Sequence, residues 1–416
     1  MTESYDVAII GGGVIGVGSA CALAERGARV LLLERGEVCS GASYGNAGWI
    51  SPSHGTPLPS PGVVTQALRW LFDPESPFYV KPRFELELAR WLLGFLRAST
   101  LARAKETMRL NRELVVASLS LYRELAASGA DFHFQMRGLV VACESDSGLA
   151  KARHELEALR ELGGEGGPLS AADLRAHVGL LSESLRGGVT FHQDAHLDPE
   201  RLVRVLAERA AARGARIETN QEVLALERAG RRVTRIVATR GDFRADQVVL
   251  AAGAWSPLVA QGLGLRLPVQ GAKGYSVTAR CPPELVTCPV LLSEAKVAVT
   301  PLGDGRLRFA GTLELAGLDP AVNSRRVSAI LRAVERFLPG LLAKTERLET
   351  WRGFRPLCPD DLPILGRPRA LENLVIATGH GMSGISQGPM TAQLVSELCL
   401  GRTPSLSLAP FSPDRF

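Results

Sequence analysis

Hydrophobic positions along the chain follow two rhythms. In the first, apolar residues run without interruption. Residues 5–10 (YDVAII), 243–256 (FRADQVVLAAGAWS) and 373–386 (NLVIATGHGMSGIS) pass into glycine or other small residues, and residues 28–34 (ARVLLLE) end in an acid. Runs this short predict strands buried on both faces, as in a parallel sheet. In the second rhythm apolar residues recur every three or four positions. This predicts helices over 14–26, within 65–125 (with an apolar face at 85–98, ELELARWLLGFLRA), and over 151–162, 325–337 and 390–400. Residues 198–214 (DPERLVRVLAERAAARG) add an aspartate N-cap, a proline at the first helical position and a closing glycine, the start and stop signals of a helix. Residues 131–143 predict a strand pair, ARIETN and VLALE two more strands, and 265–312 alternates and breaks like an antiparallel sheet. Residues 39–61, rich in Gly, Ser and Pro, predict a long ordered loop.

The order of these elements predicts an α/β chain, α+β overall, in which one domain is interrupted twice by another. Residues 1–80, 171–264 and 346–416 are assigned to a Rossmann-like domain, and 81–170 and 265–345 to a second domain. A length of 416 residues suits two domains, and 46% hydrophobic with 22% charged residues suits a sizeable core. The net charge of +5 comes from basic residues mixed with acids, a pattern that argues against nucleic acid as a partner. The seven cysteines form no CxxC pair, so no zinc site is expected and a reducing compartment is. MTESYDVAII lacks the basic region of a signal peptide, and no apolar run approaches the ~20 residues of a spanning helix. The expectation is a cytoplasmic protein.

The first forty residues carry chemistry. In GGGVIG, Gly11, Gly13 and Gly16 occupy the G-x-G-x-x-G positions between a strand and a helix, and Glu34 closes the next strand. Gly11 permits the tight turn, Gly13 lets a pyrophosphate approach backbone N–H groups, and Gly16 lets helix and strand pack closely. Glu34 is placed to accept hydrogen bonds from a ribose hydroxyl, which predicts a dinucleotide site and disfavours a 2′-phosphate. Near the other end, WRGFRPLCPDDLPILG sets Arg352 and Arg355 among aromatics, prolines and glycines. Such arginines need an anion, either Asp360 or Asp361 or an incoming ligand. His192 and His196 stand four apart but precede the helix with no glutamate between them, so a structural loop is expected there and no metal.

IIGGGVIGVGSACALAERGARVLLLER, GNAGWISPSHGTPLPSPGVVTQALRWLF, VVLAAGAWS, KGYS, GFRPLCPDDLPILG and TGHGMSGIS, in this order, together resemble the FAD-dependent amine and amino-acid oxidoreductases of the D-amino-acid oxidase superfamily. The likeness is greatest to bacterial D-amino-acid dehydrogenases and their hydroxyproline-catabolic relatives. The resemblance implies a FAD-binding domain and a substrate domain with a large, mostly antiparallel sheet. It implies that Gly11, Gly13, Gly16, Glu34 and Arg35, with Val14 and Ile15, hold the ADP half of FAD. Ser43, Asn46, Ala47 and Gly48 would run beside the pyrophosphate and flavin, with Trp49 as a candidate wall. Val223, Ala252, Gly253 and Trp255 would approach the cofactor, and the loop carrying Gly381, Met382, Ser383, Gly384, Ile385 and Ser386 would follow the ribityl chain and pyrimidine edge.

By the same resemblance Arg355 would clamp a substrate carboxylate and Tyr275 would help hold it. The alternatives are an Arg355 pair with Asp360 or Asp361 and a core role for Tyr275. Arg352 reads as support. His54 is a candidate pocket residue or an ordinary loop histidine, and the same double reading applies to Lys273 and Lys296. The late loop offers neither an extra cation nor an attaching cysteine, which points to a bulkier substrate and non-covalent FAD. The implied reaction is hydride transfer from the α-carbon of a D-amino or D-imino acid (D-proline or 4-hydroxy-D-proline type) to flavin N5, giving an imine. A glycine- or sarcosine-type amine oxidase and a non-catalytic flavin-binding subunit or sensor are the alternatives. RWLF (69–72), PFYV (77–80) and RWLLGFLR (90–97) interleave aromatics, leucines and arginines. They suit peripheral contact with a membrane, where a quinone could accept electrons, or packing inside the substrate domain. Oligomeric state and electron acceptor stay open.

Overall fold

The computed structural model describes residues 4–53, 56–62 and 76–416. The uninterrupted apolar runs form the centre of one sheet. Leu374–Thr378, Gly241–Leu250, Ser4–Ile10, Val30–Leu33 and Arg216–Glu218 lie side by side, all parallel. The hairpin Val223–Ala229/Arg232–Ala238 extends this sheet antiparallel from the outer half of Gly241–Leu250, and Ile364–Gly366 pairs antiparallel with Leu374–Thr378. On one face, helix Val14–Ala24 packs between Gly384–Cys399 and Pro199–Ala212. Pro199–Ala212 starts as its sequence predicts, with the Asp198 carboxylate accepting the amides of Glu200 and Arg201 at 3.0 and 3.3 Å.

The last helix begins at Gly384, six residues before the expected start, and carries Pro389 inside it. Glycines and a proline read as loop, because a proline leaves the carbonyl four residues earlier without its helical donor. Here that carbonyl, Ile385 O, accepts the hydroxyl of the buried Tyr122 at 2.7 Å, and Ser118 Oγ takes the Met390 amide at 3.2 Å. Both partners come from the long helix Leu101–Ala127. A neighbouring helix thus supplies the hydrogen bond that the proline removes.

The second sheet runs in the order Glu346–Leu357, Gln270–Arg280, Arg306–Leu315, Val297–Leu302, Val290–Leu292, Leu139–Cys143, Gly187–Phe191, Gly166–Ser170, with Phe78–Val80 also on Arg306–Leu315. Its pairings are antiparallel except those of Val290–Leu292 with Leu139–Cys143 and of Phe78–Val80 with Arg306–Leu315. Helix Ser324–Phe337 covers one face over a core that includes Val277, Phe309 and Phe337. Three strands correct the expected boundaries. Phe78–Val80, Gly187–Phe191 and Glu346–Leu357 fall in stretches assigned to the Rossmann-like domain, yet all belong to this sheet. A strand's own residues record how it is buried, while its sheet is set by partners far away in sequence.

Candidate active site

A cavity of about 710 Å³ opens between the two sheets. Its nucleotide end is built by close backbone approaches. Gly11 has φ +116°, and a Cβ there would stand 2.4 Å from the Ala251 carbonyl. A Cβ on Gly16 would stand 1.9 Å from the Gly11 carbonyl, so Gly16 serves the packing of helix on strand and does not itself line the cavity. Gly11, Gly13, Val14 and Ile15 do line it. Glu34 accepts the amides of Gly12 at 2.6 Å and Gly36 at 2.8 Å, and each carboxylate oxygen keeps a lone pair for a ligand hydroxyl. Arg35 stacks over Trp255 at 3.8 Å. Val223, Ala252, Gly253 and Trp255 close that side.

The loop that resembles the flavin-contacting segment is tied down at several points. Ser43 Oγ accepts the Val14 amide at 3.0 Å, at the start of helix Val14–Ala24. Asn46 donates to the Met382 carbonyl at 3.2 Å, and Ser386 Oγ donates to the Trp49 carbonyl at 2.7 Å. These bonds lock the early loop to the late one. Gly48, at φ +77°, packs on the Leu197 carbonyl behind the wall, while Ser43, Asn46, Ala47 and Trp49 face the cavity. Trp49 is oriented by its indole N–H, 2.7 Å from Thr300 Oγ1. Residues 381–386 complete the wall, and helix Gly384–Cys399 begins there with no acid in its first turn. Its positive end favours negative charge on a group bound beside it.

Arg355 sits on the cavity wall of Glu346–Leu357. Nη1 donates to the Thr312 carbonyl at 2.7 Å, and burial alone pushes the guanidinium down to about 10. Neither nearby acid takes it. Asp360 pairs with Arg415 at 2.8 Å, and Asp361 accepts the Leu58 amide at 3.0 Å. The neighbouring strands are shaped around Arg355. A Cβ on Gly274 would stand 1.7 Å from Arg355 Nη1. Thr312 has φ +66° where Arg306–Leu315 slips by one residue against Gln270–Arg280, a bulge that aims a carbonyl at the guanidinium. Arg352 turns elsewhere, its Nε on the Pro320 carbonyl at 2.8 Å and its guanidinium over Phe354.

Tyr275 requires a correction. Its hydroxyl donates to Glu314 Oε2 at 2.7 Å and accepts the Asn323 amide at 3.2 Å, within the buried core on the far side of the strand. Side chains alternate along a strand, so the residue after Gly274 points away from the Arg355 guanidinium that Gly274 faces. Lys273 shares that far side, with Nζ 3.7 Å from both Glu314 and Asp319. Lys296 reaches the cavity rim. His54 lies outside the described residues. His192 is exposed, while His196 is buried and held down to about 3 by desolvation.

Several residues at or behind the wall went unread in the sequence. Trp351 lies so close over Gly45 that a Cβ there would stand 1.9 Å from the indole. The fully buried Arg308 donates to the carbonyls of Tyr44 and Asn46 at 2.6 and 2.9 Å, fastening the early loop to the second sheet. Trp91 and Phe95 stack at 5.4 Å on helix Leu86–Ala98 and line the cavity near Arg355. Their helical spacing was visible, but not what it faces.

The chain is similar in sequence and in fold to known proteins. The family described as "FAD dependent oxidoreductase" (DAO) matches residues 6–398. A D-amino acid dehydrogenase of Paramagnetospirillum magneticum is 34% identical over 99% of this chain and 98% of its own length. A D-amino-acid oxidase of Bradyrhizobium diazoefficiens is 33% identical over the full length of both. Among solved structures, glycine oxidase from Geobacillus kaustophilus superposes with a TM-score of 0.80 at 27% identity, covering 100% of each chain. The nucleotide-end glycines, Glu34 and the paired loops suit a dinucleotide such as FAD, and the chain belongs to the DAO family of FAD-dependent oxidoreductases.

Proposed function

We propose that the chain oxidises the α-carbon of a D-amino acid or D-imino acid, D-proline and 4-hydroxy-D-proline types included, to an imine. The observation that carries this reading is Arg355: a half-buried cation in the cavity wall with no carboxylate partner among the described residues. With Nη1 held by Thr312, the remaining N–H groups of its fork suit a carboxylate. Bound FAD supplies the hydride acceptor. The chain's own part is to fix the carboxylate at Arg355, and through it the direction of the α-hydrogen, and to exclude water. The two D-amino-acid enzymes at 33–34% identity support the same reading. No cysteine lines the cavity among the described residues, which supports non-covalent FAD; acid precipitation should release the yellow colour from the protein.

The glycine oxidase likeness keeps a glycine- or sarcosine-type reaction as the second reading. Anaerobic mixing separates the two. Bleaching of the flavin by D-amino acids or D-proline, with glycine and sarcosine far weaker, supports the first reading. The reverse order supports the second, and bleaching by no member of a broad amine panel leaves a flavin-binding protein without turnover. For the electron acceptor, we read the outer side of helix Leu86–Ala98 as a peripheral membrane contact. Phe84, Leu86, Leu93 and Leu96 are exposed there beside Arg90 and Arg97, the composition of an interfacial helix. No helix of the described residues is long and apolar enough to span a membrane. The segment 69–72 lies outside the described residues.

A further inference from the structure

The wall of the cavity holds a second half-buried ionisable group without a counter-ion among the described residues. Asp361 faces the cavity, and among the described residues its carboxylate accepts one hydrogen bond, from the Leu58 amide to Oδ2 at 3.0 Å. Its backbone is in the left-handed region at φ +59°. Burial, with the like charge of Asp360, pushes it up to about 7. Among the described residues no ion pair joins Asp361 to Arg355, whose Nη1 is on the Thr312 carbonyl, so the two groups stand at separate points of one wall.

Between them the wall is apolar. Leu357 follows Arg355 by two residues on the same strand, which places it on the same face roughly 7 Å further along. The Leu357 side chain and Asp361 Oδ1 both approach Gly381, each 3.3 Å from where a Cβ would be. Trp91 donates to the Leu357 carbonyl at 3.0 Å and belongs to the same apolar cluster, with Leu58 packed against it. The sequence of surfaces is cation, hydrocarbon, anion. The α-amino group of a substrate lies one carbon from the carboxylate that Arg355 would hold, too near to reach the far anion across Leu357. A cation at the end of an extended aliphatic side chain matches all three surfaces.

Resting on the function proposed above, we infer that Asp361 is a specificity-determining residue that accepts the side-chain cation of a long basic amino acid, while Leu357, Leu58 and Trp91 pack its methylenes. Burying an ammonium group is costly unless it is paired, and Asp361 supplies the pair.

D-Lysine and D-norleucine test this directly, since they differ by the terminal ammonium. In anaerobic flavin reduction at pH 8, the wild-type protein should prefer D-lysine by at least ~10-fold in the second-order rate constant, as expected for a charge-assisted contact. Asp361→Asn, a residue that tolerates positive φ, should bring the ratio close to one. A wild-type ratio near one overturns the inference, whatever the variant does. So does a preference that survives Asp361→Asn. A variant that shifts the flavin absorbance but keeps the ratio would assign the carboxylate to a donor on the cofactor instead, and also overturns it. If D-norleucine bleaches the flavin, the proposed function stands even when the lysine preference fails. If no D-amino acid does, the function fails and the inference falls with it.

Discussion

Arg355 keeps its charge in surroundings that burial makes unfavourable, and its neighbours yield to it. Gly274 has no side chain because the guanidinium occupies that space. Gly274→Ala should therefore displace the clamp, raising the half-saturating concentration of amino acid ~10-fold or more while the remote nucleotide site keeps its flavin. Asp361 gives a residue-scale prediction for pH. Its folded value, about 7, is above the ordinary 3.8, raised by burial and by Asp360, which is itself paired with Arg415. The folded chain holds this proton where the unfolded chain has released it, so the stability it contributes is present at low pH and is lost as pH rises from about 4 through 7. Thermal unfolding of substrate-free Asp361→Asn should gain on wild type between those limits; a constant difference would refute the sign. The place of Arg355 on the cavity wall was legible only through the resemblance of GFRP to the family's segment, since the local prolines and glycines surround Arg352 equally. Tyr275 was not, because a shift of one residue along a strand decides which side of the sheet receives a hydroxyl.

Among the elements, helix Gly384–Cys399 shows how local signals can be overruled. Pro389 and its neighbouring glycines read as loop, and the element is helical because Tyr122 satisfies the carbonyl that Pro389 leaves open. Tyr122→Phe should destabilise the fold by ~1–3 kcal/mol, since it leaves a buried acceptor unpaired. In a Pro389→Ala background the same substitution should cost less, because the alanine amide can donate to Ile385 O. A double-mutant cycle by denaturant unfolding reads the difference, and equal costs in both backgrounds would show that the hydroxyl does not replace the helical bond. Capped helices such as Pro199–Ala212 were legible from end to end, since their stop signals are local. The bulge at Thr312 was not. It arises from pairing between distant strands, and nothing in GTLEL forecasts a threonine at φ +66°.

Across the whole molecule, the chain passes between two sheets several times, and the cavity lies where they meet. The Rossmann-like core was legible because its strands are buried on both faces and its glycine loop has a fixed grammar. Phe78–Val80, Gly187–Phe191 and Glu346–Leu357 fell in stretches assigned to the other domain because a strand's sheet is set by partners distant in sequence. Helix Leu86–Ala98 joins inside to outside: Trp91 and Phe95 line the cavity, while Leu93 and Leu96 are exposed. If this outer side meets a membrane, the protein should sediment with vesicles containing anionic phospholipid, and Leu93→Gln with Leu96→Gln should reduce that binding several-fold. Equal sedimentation of the double variant would remove the helix from the contact.

The central claim is that Arg355 receives the carboxylate of an amino acid. Its most direct test is the concentration dependence of anaerobic flavin reduction for wild type and Arg355→Met, with a D-amino acid and its carboxamide compared on each. Wild type should favour the carboxylate strongly. Arg355→Met should retain flavin, lose ~10²–10³-fold in affinity for the carboxylate, the ~3–4 kcal/mol of a buried charge-assisted pair, and treat the two compounds nearly alike. Half-saturation unchanged in Arg355→Met, with the carboxylate still preferred, would contradict the account.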